Sequence, residues 1–302
     1  MGYLIAISVY LLALVIYGLV IAHKKVKTAD DMVTGGHRIP FIILVGSLLA
    51  TWCGGGGITG SAGVVYSGGP WVGAITFAAP PIGIILLYFI AGKVRKSNKV
   101  TVPEIMEARY GKAASIISAL CVMLAYVGVL ATQLKAAADI LVLLCSSSGV
   151  ELSHGLALTI CTVVIVVITV CGGLVSVAYS DAISALIMIG GFFLAIPLLI
   201  SVANSQGAVL PPEKTTLTGG MSGVEILGYF LPSLALMLGD QNMLQRFASA
   251  KNSDEAKKSN IGMFIGEILV IISIVLVVTQ AAKLYPTLDV PSNVIFQVAV
   301  DY

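Results

Sequence analysis

FIILVGSLLATWCGGGGITGSAGVVYS, residues 41–67, is an apolar stretch of membrane length with four consecutive glycines, Gly54, Gly55, Gly56 and Gly57, at its centre. A helix needs roughly 20 apolar residues to cross about 30 Å of hydrocarbon. Each interior glycine costs a helix about 1 kcal/mol relative to alanine, so the run predicts a helix that opens at mid-membrane. Backbone opened at that depth is tolerated only where it is buried in protein or lines a cavity. Secondary transporters build ion and substrate sites from such discontinuous helices. A plainer reading is that the glycines only let helices approach closely, as in small-xxx-small seams. A contiguous run exceeds what a seam requires.

The composition around this stretch sets the class. The 302 residues are 58% hydrophobic and 11% charged, with a mean hydropathy of +1.00, whereas soluble domains carry about 25% charged residues. This predicts an all-α polytopic membrane protein. Eight spans follow from the pattern: 3–22, 41–67, 71–92, 113–147, 155–174, 180–202, 223–243 and 260–282. The first has no basic segment before its apolar run, so it reads as a retained span and not a cleaved signal.

Of the 17 Lys and Arg, fourteen fall after span one, between spans three and four, or between spans seven and eight. Lys214 and Lys283 lie on the other side, and Lys135 lies within a span. The excess of basic residues in cytoplasmic loops then places the N-terminus outside, in a multi-pass plasma-membrane protein.

No soluble catalytic domain, P-loop, catalytic triad or nucleic-acid-binding pattern is visible, so neither an enzyme nor an ATP-driven pump is expected. Cys53, Cys121, Cys145, Cys161 and Cys171 lie in or near apolar spans without a CxxC pair, and suit small membrane-core residues. His23, His37 and His154 are scattered.

Span seven carries Gly228, Pro232 and Gly239, five spans after the glycine-broken one. Paired Gly/Pro interruptions in two halves point to an inverted-repeat transporter, and a five-span offset fits a five-plus-five repeat preceded by one helix. Ionisable residues within spans are functional candidates by default. Lys135 and Asp139 are four apart on one helix face and can pair, which makes a neutralised structural pair as good a reading as an ion or proton route. Gln133 precedes them. Glu267, in span eight, has no evident partner. Asp181 begins span six, where helix capping is the plainer use of an aspartate.

Five segments carry a resemblance: DDMVTGGHRIPF (30–41), SLLATWCGGGGITGSAGVVYSGG (47–69), TVPEIMEARYG (101–111), VCGGLVSVAYSDAIS (170–184) and DQNMLQRFASAK (240–251). In this order, on these spans, the chain resembles the sodium:solute symporter family, whose members include sodium-coupled transporters for proline, pantothenate, sugars and sialic acid. The resemblance covers essentially the whole chain. It implies a leucine-transporter-type fold, here in part: a leading helix and core helices 1–7 of the inverted repeat, in a single transmembrane domain over 1–302.

The resemblance also implies site residues. Sodium would be held by backbone carbonyls of Ala50 and Cys53, hard oxygen ligands for which side-chain identity matters little. The Cys53 thiol would be incidental. Solute would sit beside the break, lined by Trp52, Gly54 to Gly57, Gln133 and Tyr229, although tyrosines in spans also serve as interfacial anchors. Asp181, Asp139 and Lys135 are the coupling candidates. Trp52 departs from the proline subgroup, in which an acidic residue matters to sodium use, which weakens proline as the solute and any additional carboxylate at the sodium site.

No cofactor is expected; sodium is the coupling ion, and the partners are a small organic solute, sodium and the lipid bilayer, with no nucleic acid. Relative to the family the chain stops after the seventh core helix. The expectation is therefore a C-terminally incomplete protein, inactive alone, with the remaining helices supplied in cis or by another chain. The expected activity of the intact protein is sodium-driven solute uptake by alternating access. Two alternatives stand beside it: a proton-coupled transporter of the same fold using Asp139 or Glu267, and a membrane sensor with a transporter-like domain.

Overall fold

The structure, a computed structural model, describes residues 2–302. It is 84% helical with no strand among the described residues, the all-α fold that the hydropathy pattern predicts. The first seven helices are α1 (Gly2–Lys25), α2 (Ala29–Thr34), α3 (Phe41–Trp52), α4 (Gly55–Gly68), α5 (Pro70–Thr76), α6 (Ala79–Ser97) and α7 (Val102–Tyr110). They are followed by α8 (Lys112–Ser147), α9 (His154–Ser205), α10 (Gly223–Gly239), α11 (Gln241–Ser249), α12 (Ser253–Leu284) and α13 (Val294–Asp301).

Among the described residues, six helical stretches are long and apolar enough to cross a membrane: Ile5–Lys25, Pro70–Ser97, Lys112–Ser147, Gly173–Ser205, Gly223–Ser249 and Ser253–Leu284. The pair α3 and α4 passes as a seventh, broken span, and His154–Val167 is a shorter apolar helix. Large apolar side chains such as Leu124 on α8 and Leu194 on α9 stand exposed along these stretches, as lipid-facing surfaces require.

Local chemistry explains the boundaries. Thr28 caps α2 and accepts from the Asp31 N–H, while the Asp31 carboxylate accepts from the Thr28 N–H, a reciprocal capping box. Thr101 caps α7, with Pro103 in its first turn. The predicted spans 155–174 and 180–202 occur in α9, which is interrupted at Gly173, where φ is 57° and ψ −174°. A Cβ there would meet the Met32 Cα at 3.0 Å, so backbone conformation and close approach both call for glycine. Pro232 lies inside α10, which runs on to Gly239. Of the three interruptions expected in span seven, the break falls next to Gly239, at Asp240, extended at φ −68° and ψ 114°, whose side chain caps α11.

Two compact units are assembled from discontinuous segments. The first contains residues up to Trp52, Leu87–Ala185 and Gly239–Met263. Its core includes Leu44, Leu48, Met243 and Phe247, all fully buried. Gly46 of α3 approaches α9 so closely that a Cβ would meet the Ala182 Cα at 2.7 Å. The second contains Cys53–Leu86, Leu186–Leu238 and Phe264–Tyr302, with Val65, Val72, Ile84, Met237 and Val278 buried. Here Gly83 on α6 abuts α10, and a Cβ would meet the Met237 Cγ at 2.6 Å.

Candidate functional site

The glycine run does break the span. Helix α3 ends at Trp52, and Gly54 is extended at φ −70° and ψ 165° as the N-cap of α4, with no side chain to cap it. The first closing bond of α4 runs from the Ile58 N–H to the Gly54 carbonyl at 2.9 Å. Gly55, Gly56 and Gly57 therefore form the first turn of α4 and do not prolong the opening. The last turn of a helix leaves carbonyls with no intrahelical donor, and Ala50 lies in that turn of α3. Carbonyl oxygens are the donors that suit a hard cation.

In the first unit, α3 also contributes Ser47 to a charge network shared with α9 and α11. The Ser47 hydroxyl donates to Asp181 Oδ2 at 2.8 Å, Arg246 Nε donates to the Ser47 Oγ at 2.8 Å, and Arg246 Nη2 donates to Asp181 Oδ2 at 3.0 Å. The Arg246 side chain is only 6% exposed. Asp181 lies well inside a helical segment that starts at Gly173, so it is a mid-helix ion-pair partner and the helix-capping reading fails. Arg246 likewise leaves the set of loop cations: it belongs to α11 and is buried. Beside it the Tyr126 hydroxyl donates to Asp240 Oδ1 at 3.0 Å and accepts from the Asn242 N–H at 3.0 Å.

Lys135 and Asp139 do pair, at 2.8 Å, and His154 joins them with Nε2 at 2.9 Å from Asp139 Oδ1. Lys135 and His154 are mostly exposed, which makes this an open cluster at one end of α8 and the start of α9. Gln133, two residues before Lys135 on α8, is half-buried. Trp52 and Gln133 belong to the first unit.

In the second unit, the Cys53 thiol donates to Glu267 Oε2 at 3.3 Å, and Glu267 is buried at 3% exposure. Glu267, expected to lack a partner, is thus tied to the residue at the break, and the thiol has a structural contact of its own. Tyr229 on α10 is exposed. Cys53, Cys121, Cys145 and Cys161 are free thiols, and the Cys171 side chain lies outside the described residues.

Sequence reasoning missed Ser47 and Arg246. The signal that could have found Arg246 is the amphipathic QNMLQRFAS segment, in which a cation sits on the same face as Met243 and Phe247.

Residues 32–299 match the model of the sodium:solute symporter family. The human high affinity choline transporter 1 is 25% identical over 275 residues, covering 84% of this chain and 46% of that protein. The sodium/sialic acid symporter NanT of Aliivibrio fischeri is 25% identical over 271 residues, covering 84% and 52%. The chain spans about half the length of the curated relatives it matches. A solved structure, described as the substrate-bound outward-open state of a Na+-coupled sialic acid symporter, superimposes with a TM-score of 0.76. It is 18% identical, and the match covers 96% of this chain and 64% of that one. That likeness shows the leucine-transporter-type fold. These relatives are transporters, not enzymes, and with the family match extending from residue 32 to residue 299 the chain belongs to the sodium:solute symporter family.

Proposed function

We propose that the whole protein imports a small organic solute into the cell across the plasma membrane, coupled to sodium, by alternating access. The observation that carries this reading is the break at Cys53–Gly54 in a membrane-length span, supported by relatives that are themselves sodium-coupled. Carbonyls of Ala50 and Cys53 hold sodium; Trp52, Gly54 to Gly57, Gln133 and Tyr229 contact solute. Asp181 serves coupling, since its charge pair with Arg246 is anchored through Ser47 to the half-helix that ends at the break. Asp139 and Lys135, tied to each other and to His154 in an exposed cluster, are the weaker coupling candidates. The lipid bilayer is the surrounding partner.

The chain contributes eight membrane segments, with Gly173 separating the fifth from the sixth. Its N-terminus faces outward: with Arg246 withdrawn to its ion pair, thirteen of the fourteen cations assigned to the cytoplasmic side remain. Sodium binding at the break raises solute affinity, and linkage requires the converse effect to be equal. The relatives named for choline and sialic acid make these two solutes the first to test. Uptake of radiolabelled choline or sialic acid into proteoliposomes containing the intact protein should require an inward sodium gradient. Accumulation that follows a pH gradient and ignores sodium would overturn the reading.

That outcome defines the second reading, a proton-coupled transporter. It is favoured by one observation, the buried Glu267 carboxyl in contact with Cys53 at the break.

A further inference from the structure

A cavity of about 310 Å³ lies where α1 ends, within the first unit. Lys24, Lys25, Lys27 and Arg38 all line it. Four cations gathered round one cavity repel one another unless something negative joins them, and the chain itself supplies little. Among the described residues no ion pair holds any of the four. The single carboxylate in the lining is Asp31, one negative charge against four positive ones. Its Oδ2 accepts from the Lys27 N–H at 3.1 Å, the Thr28 N–H at 3.0 Å and the Thr28 hydroxyl at 2.9 Å, and it attracts Arg38, which leaves most of the positive charge uncompensated. The negative end of the α1 dipole accounts for Lys24 and Lys25 in its last turn. It does not account for Lys27 and Arg38, which lie beyond that helix.

One wall is organised by an aromatic. Lys25 Nζ donates to the Tyr179 hydroxyl and sits 4.1 Å from its ring centroid, which fixes one cation at the cavity edge while Lys24, Lys27 and Arg38 stay exposed to whatever enters. The volume falls within the ~300–1,000 Å³ range of small-ligand clefts. Basic pockets beside membrane helices on the cytoplasmic side receive anionic lipid head groups, and the end of an apolar 21-residue span is at head-group level.

We propose that this cavity is a binding site for the phosphate of an anionic phospholipid head group, held by Lys24, Lys27 and Arg38 with Lys25 and Tyr179 as its wall. The leaflet, but not the site, rests on the orientation proposed above. The lipid is the source because the cavity opens at the end of a membrane span, where its acyl chains lie along exposed apolar residues such as Leu19 and Val20 of α1.

The test is titration of the 302-residue chain, in neutral detergent, with dioctanoyl phosphatidylglycerol, with bound lipid counted by native mass spectrometry. Saturable binding of phosphatidylglycerol is expected, with dioctanoyl phosphatidylcholine at least tenfold weaker. The Lys24→Gln/Arg38→Gln variant should lose about fivefold per cation, roughly 25-fold together. The Lys96→Gln/Lys99→Gln variant, of equal net charge, should bind as the unmodified chain does. Equal affinity for the two lipids, or an unchanged affinity in the Lys24/Arg38 variant, overturns the site. Competition by inorganic phosphate at the same concentration as the lipid overturns the lipid assignment. If the variant does not fold, as judged by circular dichroism, the salt dependence of the unmodified chain decides: affinity must fall as salt rises, and a salt-insensitive value overturns the proposal. Because binding in detergent needs neither a gradient nor uptake, failure here leaves the transport reading untouched, and the converse also holds.

Discussion

Arg246 Nη2 donates to Asp181 Oδ2 at 3.0 Å, and the Ser47 hydroxyl bridges the pair, donating to that carboxylate and accepting from Arg246 Nε. This charge pair, buried at Arg246 and half-buried at Asp181, thereby joins α3, α9 and α11 of the first unit. Removing one partner of a buried pair strands the other charge and costs about 3–5 kcal/mol, whereas replacing both by apolar residues costs far less. Asp181→Asn and Arg246→Met should each lower the melting temperature in detergent strongly. The Asp181→Leu/Arg246→Met double variant should be more stable than either; a double variant as unstable as the sum of the two singles would refute a dominant pairing term.

Replacing Gly54, Gly55, Gly56 and Gly57 together by alanine strengthens the first turn of α4 at three positions and, at Gly54, favours closing the break, by about 1 kcal/mol per position. The protein should remain folded, with equal or higher thermal stability, while sodium-driven uptake by the whole protein is lost. Retained uptake would mean that the opening at Gly54 is not needed for transport.

Two glycines in spans should respond oppositely to alanine. A Cβ at Gly46 would press on the Ala182 backbone at 2.7 Å, but one at Gly128 would meet nothing within 4 Å. Overpacking costs about 1–3 kcal/mol, so Gly46→Ala should destabilise. Gly128→Ala should leave stability unchanged or raise it by up to about 1 kcal/mol. Thermal denaturation of the two variants side by side checks the sign.

Cys53→Ala removes the thiol donated to Glu267 and leaves the backbone carbonyl in place. A hydrogen bond contributes about 1 kcal/mol net, so a modest loss of stability is expected, with the sodium dependence of the proposed uptake preserved. Cys53→Ser, which keeps a donor, should fall between the alanine variant and the parent. A sodium affinity that collapses in Cys53→Ala would show that the side chain and not the carbonyl matters.

The Asp31 carboxylate is held below its ordinary value of 3.8, chiefly by the Lys27 N–H, then by the Thr28 hydroxyl. A carboxyl with a depressed folded pKa contributes stability that is fully present above its unfolded value. That contribution is lost as pH falls through the lower folded value. Protection of the α2 cap from proteolysis should therefore be flat at neutral pH and decline only below about pH 4. Asp31→Asn should reduce protection at neutral pH and remove that acid-dependent decline.

The break at residues 53–54 was legible because glycine acts on its own backbone, and the class was legible because membrane length is counted along one segment. In span seven the break falls beside Gly239 and not at Pro232. Pro232 is the stronger local breaker by composition, yet α10 passes through it and the chain opens at Asp240, where a side-chain cap is available. Asp181 read as a cap for a similar reason: the true start of its helix depends on Gly173 fitting against Met32, far away in sequence.

What the sequence by itself determined is thus what short-range physics governs: an all-α membrane protein, the positions of its apolar segments, and the point where one of them must open. Only the tertiary structure decided which charges meet. Ser47 and Asp181 are 134 residues apart, Ser47 and Arg246 are 199, and Cys53 and Glu267 are 214. No periodicity records such partners, because a buried charge is satisfied by whichever distant helix packing brings within hydrogen-bond reach.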